Sequence, residues 1–327
     1  MGESDTLVMR NGELWSYLHA SQRSAGVRDS CGAPVEFPGC LVIYKSRDAG
    51  AHFALAANPI CQIPCAQGPC NNESDHTPQQ QYPRIAFGGN TFFMAYEYLG
   101  GVFLRRSADG LNWSAPTRLA LSGIWNLWFR DCPPYERIGE HPFAPQGYDC
   151  LAGGPPGIFV EGDGATARVF VFVALGQNPA HIGCVFGLAR QPADTYKRCK
   201  ANPLLAGASV YGPQNETDKT ANAHFDFRTM SAAEVTRVGK RYYMLYEGVR
   251  GPGPNDAGDN QFGLGLARTQ SNQIDSAWRK FDGNPILQDL PGNIGLGHAD
   301  LVVLNGETFL YTSLDGVKRS RLKLMWV

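Results

Sequence analysis

Short runs of alternating hydrophobic and polar residues recur along this chain, and two of them are nearly the same. Residues 233–248 (AEVTRVGKRYYMLYEG) align without a gap on the run at 82–98 (YPRIAFGGNTFFMAYEY), 150 positions earlier. Each run has an apolar stretch, a glycine-containing turn and an aromatic stretch, which predicts two β-strands joined by a tight turn. No long run has the 3.6-residue period of a helix, so the pattern predicts an all-β protein.

The same pattern occurs five times, and this number predicts the architecture. Further copies are found at 4–20, at 297–313 and, with a longer turn, at 154–174, so the copies start near 5, 83, 156, 233 and 299. Third and fourth strand signals follow, as at 101–119. Five repeats of four antiparallel strands predict a single-domain, five-bladed β-propeller over residues 1–327. A β-sandwich with chance similarity between segments is the alternative.

The first position of each copy carries the candidate chemistry. The innermost strand of a propeller blade lines the central channel, so residues that lead the five copies should converge on one axis. These residues are Asp5, Arg84, Gly157, Glu234 and Asp300, with His298 two positions before the last. Crowded carboxylates acquire separated pKa values, which glycosidic cleavage by an acid and a base requires. Alternatively, Arg84 pairs with Asp300 or Glu234 and only plugs the channel.

Composition narrows the class of ligand. The chain has 29 Lys and Arg against 30 Asp and Glu, so no net field attracts it to nucleic acid or to an acidic membrane. No apolar run near 18 residues is present. A small, neutral or locally charged ligand is therefore expected, with no nucleic-acid or membrane partner.

The nine cysteines indicate an oxidising compartment. They stand in Pro- or Gly-rich stretches and form near pairs, which favours disulfides and secretion or a periplasmic location. The predicted pairs are Cys31–Cys40, Cys132–Cys150 and Cys184–Cys199. The cluster of Cys61, Cys65 and Cys70 leaves one thiol over, or binds zinc with His76. No secretory leader is visible, so secretion requires that a leader has been removed.

Two short motifs resemble the Asp-box of sialidases and related propellers. They are SRDAGAHF at 46–53 and the one-residue-shorter SADGLNW at 107–113. Their aspartates, Asp48 and Asp109, are expected to accept backbone N–H groups in the hairpin between outer strands and to take no part in chemistry.

The five repeats, three of which have an acidic leading residue, resemble the five-bladed glycosidases of the furanosidase superfamily. The resemblance is to glycoside hydrolase family 43 and its relatives in families 32, 62, 117 and 130. It implies that Asp5, in SDTLVMRNGELWSY, is the general base and that Glu234 is the general acid of an inverting glycosidase. It also implies that His298, in GLGHADLV, lies on the axis near a bound ion or water.

Two departures from the family pattern leave alternatives open. The third-blade aspartate of the family would fall near Pro155, so Asp149 in GYDC is the substitute. The family's acid stands about four residues earlier than Glu234, at Met230. Rivals for the acid therefore come from the segment HFDFRTMS and from the ends of the second strands: Asp226, Arg228, Glu97 and Glu247.

Residues outside the repeats are the expected substrate contacts. Aromatic side chains stack on sugar rings, and the segment at 123–150 supplies Trp125 and Trp128. His224, Asp226 and Arg228 precede the fourth blade and are expected on the same face.

The sequence thus predicts a secreted or periplasmic, monomeric glycoside hydrolase acting on a furanoside or related linkage of an oligo- or polysaccharide. No cofactor is required, although an ion such as Ca²⁺ on the axis, beside His298, is consistent with the resemblance. A family 130-like phosphorylase using Arg84, Arg130 and Arg228 is one alternative. A carbohydrate-binding propeller without catalysis is the other.

Overall fold

Five antiparallel β-sheets follow one another along the chain in the computed structural model. It describes residues 4–19, 41–56, 60, 80–98, 101–119, 152–175, 181–205, 225–226, 229–250, 261–288, 299–313 and 319–324. Within each sheet, neighbouring strands are consecutive in sequence, except that one short strand of the fourth sheet pairs with the strand two before it. The all-β, five-bladed propeller predicted from the repeats is confirmed.

The first three blades each contain four strands in meander order. Blade 1 consists of β1 (Ser4–Val8), β2 (Leu14–His19), β3 (Leu41–Ser46) and β4 (Ala54–Leu55). Blade 2 consists of β5 (Gln81–Gly88), β6 (Thr91–Tyr98), β7 (Gly101–Ser107) and β8 (Thr117–Arg118). Blade 3 consists of β9 (Ala152–Glu161), β10 (Arg168–Leu175), β11 (His181–Leu188) and β12 (Lys197–Arg198).

The last two blades vary this plan. Blade 4 consists of β13 (Thr229–Val238), β14 (Arg241–Arg250), β15 (Gln261–Thr269), β16 (Trp278–Lys280) and the short β17 (Leu287–Gln288), which also pairs with β15. The described part of blade 5 has three strands, β18 (Asp300–Leu304), β19 (Glu307–Ser313) and β20 (Arg319–Leu324). The innermost strands therefore begin close to the five predicted starts.

Apolar side chains between neighbouring blades close the ring. Alternate residues of each strand point to opposite faces, so every blade offers one apolar face to the blade before it and one to the blade after it. Four clusters join blades 1 to 5 in order, and a fifth packs Leu14 of blade 1 against Val302 of blade 5. This closure brings β1 beside both β5 and β18, so the innermost strands surround one axis.

Both Asp-box aspartates hold their hairpins, as predicted. Asp48 accepts the N–H of His52 at 2.9 Å, and Asp109 accepts the N–H groups of Leu111 and Asn112, each at 2.8 Å. Hydrogen bonds to the charged form, led by those backbone N–H groups, hold the pKa of both carboxyls below the ordinary range. These aspartates stabilise turns far along the blades from the axis.

The disulfide predicted between Cys184 and Cys199 is present and ties β11 to the segment after β12. The other two predicted pairs and the Cys61–Cys70 cluster lie outside the described residues. Among the described residues, no helix has the length and apolar character needed to cross a membrane.

Gly157 explains why the third blade has no charged leading residue. A Cβ atom built on Gly157 would lie 2.1 Å from the carbonyl oxygen of Ala233 in β13. No side chain fits at that distance, because the backbones of β9 and β13 approach each other too closely. Glycine at this position therefore allows the strand that carries Glu234 to pack against blade 3.

We expect Gly157→Ala to lower the free energy of unfolding by about 3 kcal/mol, because the added methyl group must push β13 away. Denaturant unfolding followed by circular dichroism measures this loss. Gly164→Ala is the control, since a Cβ there has no neighbour within 4 Å and only its φ of 61° is unfavourable. Equal losses in the two variants would show that the contact with Ala233 is unimportant.

Candidate active site

A β-bulge of the same kind positions two of the leading side chains, Arg84 and Glu234. The pairing of β5 with β6 shifts between Gln81 and Arg84, and the pairing of β13 with β14 shifts between Ser231 and Glu234. Such β-bulges turn a side chain out of the regular alternation and are frequent beside active sites. In each bulge a non-glycine residue has left-handed backbone, with φ of 54° at Tyr82 and 50° at Ala232. The same β-bulge therefore occurs in blades 2 and 4 and directs Arg84 and Glu234 towards the axis.

Arg84 lies at the centre of the site, and its side chain is only 3% exposed. Its Nη1 donates to Glu234 Oε2 at 3.4 Å and lies 3.7 Å from Asp5 Oδ1. Its Nη2 donates to the carbonyl oxygen of Ala299 at 3.0 Å. One guanidinium thus connects blades 1, 2 and 4 with the residue that precedes β18 of blade 5.

Asp5 and Asp300 lie on the innermost strands at either side of this contact. Asp5 Oδ2 accepts the backbone N–H of Ile85, which holds β1 against β5. Asp300 is fully buried, and its carboxyl lies close enough to Asp5 to lower the pKa of that group. We call Asp5, Arg84, Glu234 and Asp300 the hub. The predicted convergence of these four leading residues is present in the structure.

Glu234 is the hub carboxylate that faces solvent. Its side chain is 20% exposed, against 6% for Asp5, and Asp300 has no exposed surface. Behind it, buried Glu247 accepts the hydroxyl proton of Ser231 at 3.3 Å, within the bulge itself. Glu234 is therefore the most exposed carboxylate of the hub.

Burial determines the protonation of the hub. Loss of hydration raises the pKa of Glu234 well above its ordinary value. The negative charges of Asp5 and Asp300 raise this pKa further, whereas the positive charge of Arg84 lowers it. Burial likewise raises the pKa of Asp5, against the opposing effects of Arg84 and the Ile85 N–H group. Burial alone would lower the pKa of Arg84, but the surrounding carboxylates raise it. The hub therefore combines a permanent cation with two carboxyls of raised pKa, of which Glu234 is held well above its ordinary value.

Asp226, a predicted substrate contact and rival acid, has partners within blade 4. Its Oδ2 accepts the Tyr246 hydroxyl proton at 3.0 Å and pairs with Lys280 Nζ at 2.5 Å. The neighbouring Phe225 packs against Gly263 and Gly265 of β15. These contacts give Asp226 a structural role, and its contact with substrate stays a prediction.

Several other candidates have no described placement. These are Trp125, Trp128, Asp149, His224, Arg228 and His298, which lie outside the described residues. Glu97 lies opposite Gln81 in β5, one residue before the bulge, and is partly buried. Sequence reasoning missed the Ala299 carbonyl and the Ser231–Glu247 bond, because neither follows from residue type or spacing.

The described part of the hub does not fit a metal ion. No group of three or more His, Cys, Asp and Glu side chains within that part of the chain is arranged to hold one. The Arg84 guanidinium already stands between the carboxylates and supplies the positive charge that a cation would bring. The predicted axial ion beside His298 stays a prediction.

The fold of this chain is similar to the folds of several solved glycosidases. A Cellvibrio cellulosa α-L-arabinanase in complex with arabinohexaose has a TM-score of 0.58 at 14% identity, over 100% of this chain and 93% of that chain. An exo-1,5-α-L-arabinanase from a bovine ruminal metagenomic library has a TM-score of 0.55 at 11% identity, over 99% and 92%. A thermostable family-43 glycoside hydrolase has a TM-score of 0.53 at 15% identity, over 100% and 90%.

Comparisons of the amino-acid sequence identify no family and no relative for this chain. No protein-family model matches the chain, and no curated protein matches it. At 11–15% identity, the structural likeness establishes the fold. The activity has to be argued from the site.

We expect Arg84→Met to destabilise the protein by about 3 to 5 kcal/mol at neutral pH, because it leaves buried carboxylates without their cation. Equilibrium unfolding in urea measures the change. Arg279→Met is the control, since Arg279 pairs with Asp282 at the surface and such pairs contribute about 1 kcal/mol or less. Equal losses of unfolding free energy in the two variants would show that the hub pairing stabilises the protein no more than a surface ion pair does.

A second prediction concerns pH. A carboxyl whose folded-state pKa is raised contributes stability in full below its ordinary pKa, and this contribution is lost as pH rises through the raised value. Replacing Glu234 by Gln removes this loss, so the stability of Glu234→Gln relative to wild type should increase from pH of about 4.5 to pH of about 8. Urea unfolding across this range measures it. A difference that stays constant or falls would contradict the raised pKa of Glu234.

Proposed function

We propose that this protein is a glycoside hydrolase in which Glu234 is the general acid and Asp5 the general base. The observation that carries the proposal is the environment of Glu234. It is a partly exposed carboxyl with a strongly raised pKa, held by a buried guanidinium that also contacts a second carboxyl. A carboxyl that keeps its proton near neutral pH can donate it to a leaving glycosidic oxygen.

The second carboxylate completes the reaction. As the bond from the anomeric carbon to the leaving oxygen breaks, Glu234 protonates that oxygen. Ionised Asp5 takes a proton from the water whose oxygen bonds to the anomeric carbon. The same Nη1 of Arg84 lies 3.4 Å from Glu234 Oε2 and 3.7 Å from Asp5 Oδ1, so the two carboxylates are near enough to act at one glycosidic bond. Arg84 fixes both side chains and offsets their charge.

The likeness in fold to two arabinanases supports the substrate class that we propose. Two propellers of the same fold are arabinanases, one of them complexed with arabinohexaose. We therefore propose that the substrate of this protein is an oligo- or polysaccharide with a furanoside or related linkage. We also propose that cleavage inverts the anomeric carbon. The Cys184–Cys199 disulfide supports a secreted or periplasmic location for such an enzyme.

Phosphorolysis is less well supported by the hub. A phosphorylase needs free cationic donors for phosphate, but both terminal nitrogens of Arg84 are engaged and its side chain is 3% exposed. A propeller that binds carbohydrate without catalysis gains nothing from a carboxyl held at a raised pKa, which costs stability at neutral pH.

We expect Glu234→Gln and Asp5→Asn each to lower kcat by about 10² to 10⁴-fold on aryl furanosides, with the fold retained. Assays across aryl furanosides and pyranosides, with and without inorganic phosphate, measure the change. Glu307→Gln is the control, because it makes the same chemical change on the exposed surface of blade 5.

Asp300→Asn tests the assignment of the base, since Asp300 also lies beside Asp5. A large loss of kcat in Asp300→Asn with little loss in Asp5→Asn would transfer the role of base to Asp300. Losses below about tenfold in both Glu234→Gln and Asp5→Asn would reject the proposed chemistry.

A further inference from the structure

The seam between blades 1 and 5 contains a cavity of about 530 Å³. Elsewhere neighbouring blades meet through large apolar side chains; Trp15, Tyr17 and Met94, for example, fill the seam between blades 1 and 2. In the described part of the seam between blades 1 and 5, a small apolar cluster forms around Leu14 and Val302. The cavity in this seam is lined by polar and aromatic side chains together with Leu18 and Gly50.

One wall of this seam cavity is a row of hydroxyl groups on blade 1. Thr6 of β1 is paired with Ser16 of β2, and Ser16 is paired with Tyr44 of β3, so the three side chains stand side by side on one face. Thr6 Oγ1 donates to Ser16 Oγ at 3.1 Å. Thr6 and Ser16 are 6% and 7% exposed, although faces between blades are normally apolar. Buried hydroxyls beside an open cavity are available to a polar ligand.

The opposite wall comes from blade 5. Tyr311 of β19 and Arg321 of β20 are directly paired in register and both line the cavity. Arg321 Nη1 donates to the carbonyl oxygen of Ala49 at 3.0 Å, which ties the guanidinium to the Asp-box hairpin of blade 1. A Cβ at Gly50 would lie 3.0 Å from the Tyr311 hydroxyl, so glycine leaves this hydroxyl its space. The wall therefore presents an aromatic ring and a positive charge.

We propose that the seam cavity is a second saccharide-binding site, which holds one or two sugar rings and prefers a sugar that carries a carboxylate. Its volume is in the range of small-molecule sites, about 300 to 1,000 Å³. Hydroxyl side chains exchange hydrogen bonds with sugar hydroxyls, and the rings of Tyr44, Phe53 and Tyr311 provide apolar faces for stacking. The described lining residues include Arg321 and no acidic side chain, which favours an anionic sugar.

This site would bind without cleaving. Among the described residues, no carboxyl lines the seam cavity, so that part of the chain offers no acid–base pair there like that of the hub. None of its lining residues belongs to the hub. The inference therefore goes beyond the proposed hydrolase activity and does not depend on it: an acidic side group of a polysaccharide could anchor in the seam whether or not the hub cleaves.

Fluorine NMR of the protein labelled with 3-fluorotyrosine tests this site directly. The Tyr44 and Tyr311 signals are assigned by their disappearance in Tyr44→Phe and Tyr311→Phe, and Tyr98 of blade 2 is the reference. We expect both seam signals to shift saturably on titration with D-galacturonate and to saturate at higher concentration with D-galactose. Arg321→Gln should remove the difference between the two sugars, and Ser16→Ala should weaken binding of both by about tenfold.

Three results would overturn the proposal. The first is that neither signal moves with either sugar up to its solubility limit. The second is that the shifts disappear in Glu234→Gln, because the response would then originate at the hub. The third is that sodium sulfate at matched ionic strength produces the same shifts, which would identify an anion effect at Arg321 alone. Unchanged titrations in Glu234→Gln, whatever the activity of the wild type, would support a separate seam site.

Discussion

The structure of the site depends on one buried cation. Arg84 is nearly free of solvent contact, and its guanidinium bonds or pairs with Asp5 of blade 1, Glu234 of blade 4 and the backbone before β18 of blade 5. A buried charge is tolerated only when nearby groups neutralise it and satisfy its hydrogen bonds. The carboxylates in turn could not be crowded on the axis without this cation. The closed ring and the hub therefore require each other, because blades far apart in sequence supply the partners.

Burial has opposite effects on stability and on chemistry. The dry interior that makes the contacts of Arg84 strong also disfavours the charged form of each carboxyl, and so raises the pKa values of Asp5 and Glu234. Ionising these groups costs folding free energy, but a retained proton is what a general acid needs. The third blade makes room for this arrangement by having no side chain at Gly157, where β13 passes close by.

Much of this design could be predicted from the sequence, because the blade is a local unit that repeats. The spacing of the copies predicted the five sheets, and the leading positions predicted that Asp5, Arg84, Glu234 and Asp300 would meet. The turns held by Asp48 and Asp109 and the Cys184–Cys199 disulfide are also local features, and they were predicted correctly.

Features that depend on how blades pack were not predictable. The left-handed backbone at Ala232, the contact of Gly157 with Ala233 and the cavity between blades 1 and 5 all depend on the distance between strands that are remote in sequence. Asp226 shows the same limit, since no residue pattern pairs it with Lys280, 54 positions later. Direct titration of the Glu234 side chain by ¹³C NMR tests whether burial in the hub raises the pKa of this carboxyl. We expect its carboxyl carbon to titrate well above the ordinary glutamate pKa of about 4.3. Titration at or below that value would contradict the role of Glu234 as the general acid.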